Sequence, residues 1–285
     1  MEPAHPLVEP STRPRLSWRI AVGAILLAGL AFLFRAPALF VWRAWWSDPY
    51  YTHGLPVFLA AAGLAAWRLA RAPALTAPVP AWALLGLPAA LGLYLVGFLR
   101  ADAYFLTWSF LALAAAVALA TGRLRLLAAP LLLAALALPT PWTIQVCVWL
   151  QDGATAATAA LLGLAGVPLE RGLTTLTSGA LAFEVTPACS GFQSAVSLLA
   201  VGAAIATLFP MSKARRRVVL ALAVPLALAL NVARLIAVVA IGLRWGADAA
   251  EGFFHGFSSA LIFLAETIVL LAAAGLLSRP REARA

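Results

Sequence analysis

Long apolar runs separated by short polar breaks make up most of this 285-residue chain. About twenty consecutive apolar residues are what an α-helix needs to cross the hydrocarbon core of a bilayer. The pattern predicts eight crossings, over residues 18–34, 55–70, 82–99, 104–121, 125–149, 191–209, 218–242 and 256–277. Pro139 and Pro141 break the fifth run and can end its helix early. The apolar stretch 153–168, GATAATAALLGLAGVP, is too short to cross comfortably and is expected at the interface or as a re-entrant segment. From 167 to 186 the pattern shifts to Thr, Leu and Val, with Gly172 and Ser178-Gly179 as turn signals. That predicts a short β-hairpin on the outer surface. The expected fold class is an all-α polytopic membrane protein. It has about eight transmembrane helices, a short outer-face β-hairpin and a re-entrant or interfacial helix.

Composition agrees with this pattern. Only 11% of the residues are charged, against about 25% in soluble domains, so the polar helix faces of a soluble core are missing. The net charge of +9 raises the question of nucleic acid binding. Its distribution points elsewhere, because the basic residues fall in short clusters between apolar runs and do not line one face. Such clusters act as topology signals and contact anionic lipid. Eight crossings place 14 of the 20 Arg and Lys residues on the side of both termini and five on the other, with Arg234 inside a span. The positive-inside rule makes the first side cytoplasmic. A ninth crossing at 153–168 would translocate KARRR (213–217), which the rule disfavours.

The expected organisation is a disordered cytoplasmic tail (1–17), a transmembrane domain (18–278) and a basic cytoplasmic tail (279–285). The first apolar run, about Trp18–Phe34, lacks an A-x-A end and reads as a retained helix. Membrane lipids are expected partners; nucleic acid is not. Two cysteines, Cys147 and Cys189, are too few for a disulfide framework, although a bond between them is possible outside the cytoplasm.

Polar groups in or beside spans are costly in lipid, so each requires an explanation. Arg234, counted from Val218, lies about 24 Å along the seventh span, in the outer half of the bilayer. Asn231, three residues earlier, shares its helix face. Either the arginine snorkels to the outer headgroups or it serves a site. Cys189, in TPACSGFQS, stands at the outer start of the sixth span, where unpaired backbone N–H groups and the helix dipole favour a thiolate. A cysteine beside apolar sequence is equally a small buried hydrophobe, and Cys147 reads that way. His255, at the outer start of the last span, fits a proton shuttle for a thiol, or an interfacial residue without a role. His53, in DPYYTHG, is expected just before the second span. Cysteine, arginine and histidine thus reach one outer-leaflet depth from three successive spans. Metal-ligand spacing is absent. A proton or ion path usually carries carboxylates at mid-membrane, and only Glu266 qualifies.

PACSGFQS, then NVAR as N-x-x-R, then a histidine at the start of the last helix resemble the exosortase/archaeosortase family. DPYYTHG resembles that family's early Y-S-H-G-like motif, with Thr52 in place of Ser. The resemblance covers about residues 45–277. Many members have Leu-Arg or Ile-Arg where this chain has Phe192-Gln193, and Ser259 replaces a common glycine. The resemblance implies a membrane-embedded cysteine transpeptidase or peptidase without a metal or organic cofactor. It would cleave C-terminal, PEP-CTERM-like sorting signals of exported proteins at the outer face of the cytoplasmic membrane. Those partners carry a short motif, a transmembrane helix and a basic tail. Cys189 would be the nucleophile and His255 the acid/base. Arg234, with backbone N–H groups near Ser190, would stabilise developing charge. Ser190, Gly191 and Asn231 would support the site, and His53 would line the substrate entrance. A scaffold for envelope polysaccharide assembly, a transporter and a membrane acyltransferase remain as alternatives.

Overall fold

The computed structural model of the chain describes residues 14–73, 81–251 and 253–278. Residues 1–13 of the expected N-terminal tail and all of the expected C-terminal tail lie outside the described residues. Residues 14–17 do not belong to a tail, because the first helix already begins at Pro14. Ten α-helices and one small sheet are described. They are α1 (Pro14–Ser47), α2 (Gly54–Ala70), α3 (Gly86–Leu99, preceded by a 3-10 turn at Ala81–Leu85), α4 (Ala103–Ala120) and α5 (Leu124–Ala137), followed by α6 (Thr143–Leu164). After strands β1 (Glu170–Arg171), β2 (Thr175–Ser178) and β3 (Leu181–Glu184) come α7 (Phe192–Leu208), α8 (Lys213–Trp245), α9 (Ala247–Glu251) and α10 (Phe253–Ser278).

Five segments are helical, long and apolar enough to cross a membrane: Ile20–Ser47, Ala81–Leu99, Ala103–Ala120, Lys213–Trp245 and Ala260–Leu277. Three apolar helices, α2, α5 and α7, are shorter. The fold is that of a multi-pass, all-α membrane protein, and its helix boundaries correct the expectation at three places. First, α1 runs on to Ser47 through Pro37 and does not stop near residue 34; apolar membrane helices tolerate an internal proline that would break a soluble one. Second, the fifth run divides. Leu138 turns extended before Pro139 and ends α5, since a residue preceding proline is pushed out of the helical region. The remainder joins 153–164 in one helix, α6. Third, the expected hairpin is a three-stranded antiparallel sheet in the order β1-β2-β3, with Leu176 opposite both Arg171 and Phe183.

Hydrogen bonds fix the two ends of the bundle. At one end Arg68 of α2 donates to Leu126 O at the start of α5 (2.9 Å) and to Thr207 Oγ1 at the end of α7 (3.4 Å). The basic start of α8, KARRR, lies at the same end and is capped by Ser212. At the other end Tyr51 donates to Thr140 O at 2.8 Å, and Trp45 Nε1 to Ala137 O at 2.8 Å. Gln193 Nε2 donates to Pro49 O there. Exposed Trp42, Trp46 and Trp142 surround this second end, as tryptophans do at a membrane–water interface.

Lipid supplies no hydrophobic drive between helices, so close packing of small side chains must hold them together. The buried face of α8 reads Val219, Ala223, Ala227, Asn231, Leu235 and Val239, one residue per turn. Its lower half packs with Ala195 and Leu198 of α7 and with Leu270 and Ala274 of α10. Above Asn231 the same face meets α6 and the sheet. Ala154 clusters with Leu235, and Leu162 with Leu176 and Val239, so α6 and α8 run side by side in the same direction. The sheet is anchored there through Leu176, which is 0% exposed. Leu176→Ala is expected to destabilise the protein by about 2–5 kcal/mol, read as a lower melting temperature in nanodiscs. Leu173→Ala, at an exposed position, should stay within about 0.5 kcal/mol.

Candidate active site

Two elements build the site: the turn entering α7 and one turn of α8. Pro187 opens a 3-10 turn, Pro187–Cys189, in which Cys189 N–H donates to Thr186 O (2.8 Å) and Ser190 N–H to Pro187 O (3.1 Å). Gly191 follows with φ of +81°, in the left-handed region, and α7 starts at Phe192. Glycine is required there for a second reason as well. A Cβ at Gly191 would stand 3.1 Å from Leu228 and 3.3 Å from the Asn231 side chain. The loop therefore lies directly on α8.

From that turn of α8, Asn231 Nδ2 donates to Cys189 O at 2.6 Å, and Arg234 Nη2 donates to Cys189 Sγ at 2.7 Å. Positions i and i+3 share a helix face, so one residue holds the cysteine backbone while the other reaches its sulfur. Thr186 Oγ1 is a second donor to the sulfur, at 3.3 Å. From α6, Gln151 Nε2 donates to Val185 O at 2.6 Å and fixes the strand that leads into the loop. Asn231 is 2%, Cys189 3% and Arg234 5% exposed. The cysteine sulfur therefore accepts from a guanidinium in a setting closed to solvent. Both cysteines are free, and Cys147 on α6 is buried beside Ser190.

The structure thus brings Cys189, Ser190, Gly191, Asn231 and Arg234 together. His53 sits on the far side of α7: its Nε2 is 3.3 Å from Leu136 O and its ring meets Phe192 edge-on. Burial pushes its imidazole below the usual histidine range. With Thr52, Gln193, Ser194 and Ser197 it lines a cavity of about 790 Å³ between α2, α7 and α10. His255 belongs to the first turn of α10, and its side chain lies outside the described residues. The N–H of Ser190, expected to help stabilise an oxyanion, already donates to Pro187 O at 3.1 Å. Sequence reasoning missed Thr186 and Gln151. Thr186 stands inside the quoted motif, and Gln151 is a polar residue in an apolar run, so both left a signal.

All of these groups fall within residues 45–272, the span matched by the family model for transmembrane exosortases. The chain belongs to the transmembrane exosortase family. Comparison with curated proteins and with solved structures finds no match. Within the exosortase match lie the DPYYTHG, PACSGFQS and NVAR segments and also the sheet. The match ends six residues before the end of α10.

Two substitutions test the loop's dependence on α8. Gly191→Ala should cost about 1–2 kcal/mol for the left-handed backbone alone. Asn231→Ala leaves the Cys189 carbonyl without its donor and should cost about 1–3 kcal/mol. Thermal melting in nanodiscs measures both, and an unchanged midpoint in either would refute the corresponding contact.

Proposed function

We propose that this exosortase is a membrane-embedded cysteine transpeptidase or peptidase that cleaves C-terminal sorting signals of exported proteins. The observation that carries the reading is the 2.7 Å contact from Arg234 to the Cys189 sulfur, buried where α7 begins. A packing cysteine has no need of a guanidinium, and an arginine that snorkels has no need of a thiol. The basic end of the bundle is the cytoplasmic one by the positive-inside rule. The site then faces the outer side of the cytoplasmic membrane, and both termini are cytoplasmic.

The substrate's apolar helix packs laterally against the bundle and sets its scissile bond at the outer interface. The Cys189 thiolate attacks the carbonyl carbon. Arg234 moves with the charge from sulfur to the tetrahedral oxygen, a contribution of about 2.7–4 kcal/mol if it equals one oxyanion donor. His255 protonates the leaving amine as the C–N bond breaks and a thioester forms. An incoming amine or water, deprotonated by His255, then releases the product. The side chain of His53 borders the cavity beside Gln193 and Ser194, which suits a substrate entrance.

The test is co-expression with a tagged protein ending in a short motif, an apolar helix and an arginine cluster. Cys189→Ala should abolish cleavage. Arg234→Lys should slow it about 10²–10³-fold and His255→Ala about 10²–10⁴-fold. Undiminished cleavage by Cys189→Ala would rule out the thiol mechanism.

A further inference from the structure

The three-stranded sheet has β1 at one edge and β3 at the other. On the β1 side Arg171 pairs with Asp152 and so ties that edge to α6. The β3 side has no such tie. Val185 N–H donates to Thr174 O, and Phe183 stands opposite Leu176. Backbone groups alternate in direction along a strand, so Leu181, Phe183 and Val185 address β2 while Ala182 and Glu184 address the edge. Among the described residues no hydrogen bond reaches the N–H or C=O of Ala182 or Glu184. Both residues are exposed. An edge of this kind is a template for another extended chain unless Lys, Pro or a covering element blunts it. The strand, LAFE, has neither residue.

This edge leads straight to the nucleophile loop. Four residues separate Glu184 from Cys189, a reach of at most about 18 Å. Val185, the first of them, packs in one cluster with Cys189 and Leu235. The direction of β3 follows from its contacts on α8. Phe183 lies against Gly242, and Val185, two residues on, meets Leu235, seven residues back along that helix. β3 therefore runs antiparallel to α8, from outside toward the bilayer when the basic start of α8 is cytoplasmic. A substrate with an exported body and an apolar helix entering the membrane runs the same way. Its scissile bond has to leave that helix, because helical carbonyls are already hydrogen-bonded. The backbone groups freed there need new partners.

We propose that the unpaired edge of β3 is the docking strand for the extended segment preceding the substrate's apolar helix, which pairs with it in parallel. The proposal rests on the reading of the protein as a peptidase of C-terminal sorting signals. Ala182 and Glu184 each offer one N–H and one C=O to the incoming chain. Main-chain bonds supply the affinity in pairing of this kind. Past Glu184 the substrate continues beside Val185 toward Cys189, and its apolar helix begins beyond that point.

Disulfide mapping tests the docking without turnover. Cys189→Ala enzyme carrying Ala182→Cys or Glu184→Cys is co-expressed with the tagged protein ending in a short motif, an apolar helix and an arginine cluster. Single cysteines are placed one by one along the segment before that helix, and membranes are oxidised with copper phenanthroline. Cross-links from Ala182→Cys are expected on alternate substrate residues. Those from Glu184→Cys should fall two residues nearer the substrate's C-terminus. Displacement toward the N-terminus, or no cross-link to either position, would overturn the proposal. So would a disulfide joining two copies of the enzyme in place of one to substrate. In the otherwise unaltered enzyme, Ala182→Pro removes an edge N–H without touching the bonds to β2. It should slow cleavage at limiting substrate about 2–10-fold, the value of one hydrogen bond, at an unchanged melting temperature. A wild-type rate in that variant would also count against the pairing. Cleavage in the Cys189→Ala background would instead contradict the nucleophile assignment beneath it.

Discussion

A guanidinium hydrogen-bonded to a thiol inside a helical bundle is the interaction on which the rest of this structure depends. Arg234 lies twenty-one residues into α8, about 32 Å from the helix start, where a lone charge would be costly. Snorkelling is one way to relieve that cost, and the structure uses another. Cys189 receives the guanidinium, and Asn231 on the same helix face holds the cysteine's own carbonyl in place. Removing one partner of a buried pair leaves the other uncompensated, a loss of about 3–5 kcal/mol in comparable cases. The loop and the helix are therefore coupled through stability as well as through chemistry.

The surrounding architecture keeps that pair in register. Ala223 and Ala227 let α7 approach α8 closely on one side of the pair, while Leu235 and Val239 seal it from the other with α6 and the sheet. The site thus occupies the junction between a lipid-type interface of small residues and a conventional apolar cluster. Gly191 is the hinge point, since only a residue without a Cβ fits both its positive φ and its distance to Asn231. Within this frame one side of α7 carries the cysteine loop, and the other faces the cavity bordered by His53. A short helix start separates the Cys189 sulfur from that cavity.

Much of the fold was legible because membrane crossing depends on length and hydropathy, and α2, α4 and α7 fall within a few residues of their expected bounds. The chemistry was legible at Cys189, Asn231 and Arg234 because a polar group in an apolar run has few bland explanations. The first span was expected to stop near residue 34, whereas α1 continues through Pro37 to Ser47. Proline informed the reading correctly at Pro139. The third strand escaped notice because β1 contributes only two residues, too few for alternation to register. Gln151 reaches the loop through a tertiary contact thirty-four residues away in sequence, which no spacing rule encodes.

The most direct measurement is mass spectrometric mapping of the protein quenched during turnover of a sorting-signal peptide in nanodiscs. The account predicts a hydroxylamine-labile acyl adduct on the peptide that contains Cys189, with none on Cys147. Continued cleavage with no adduct at Cys189, or with the adduct on another residue, would contradict it.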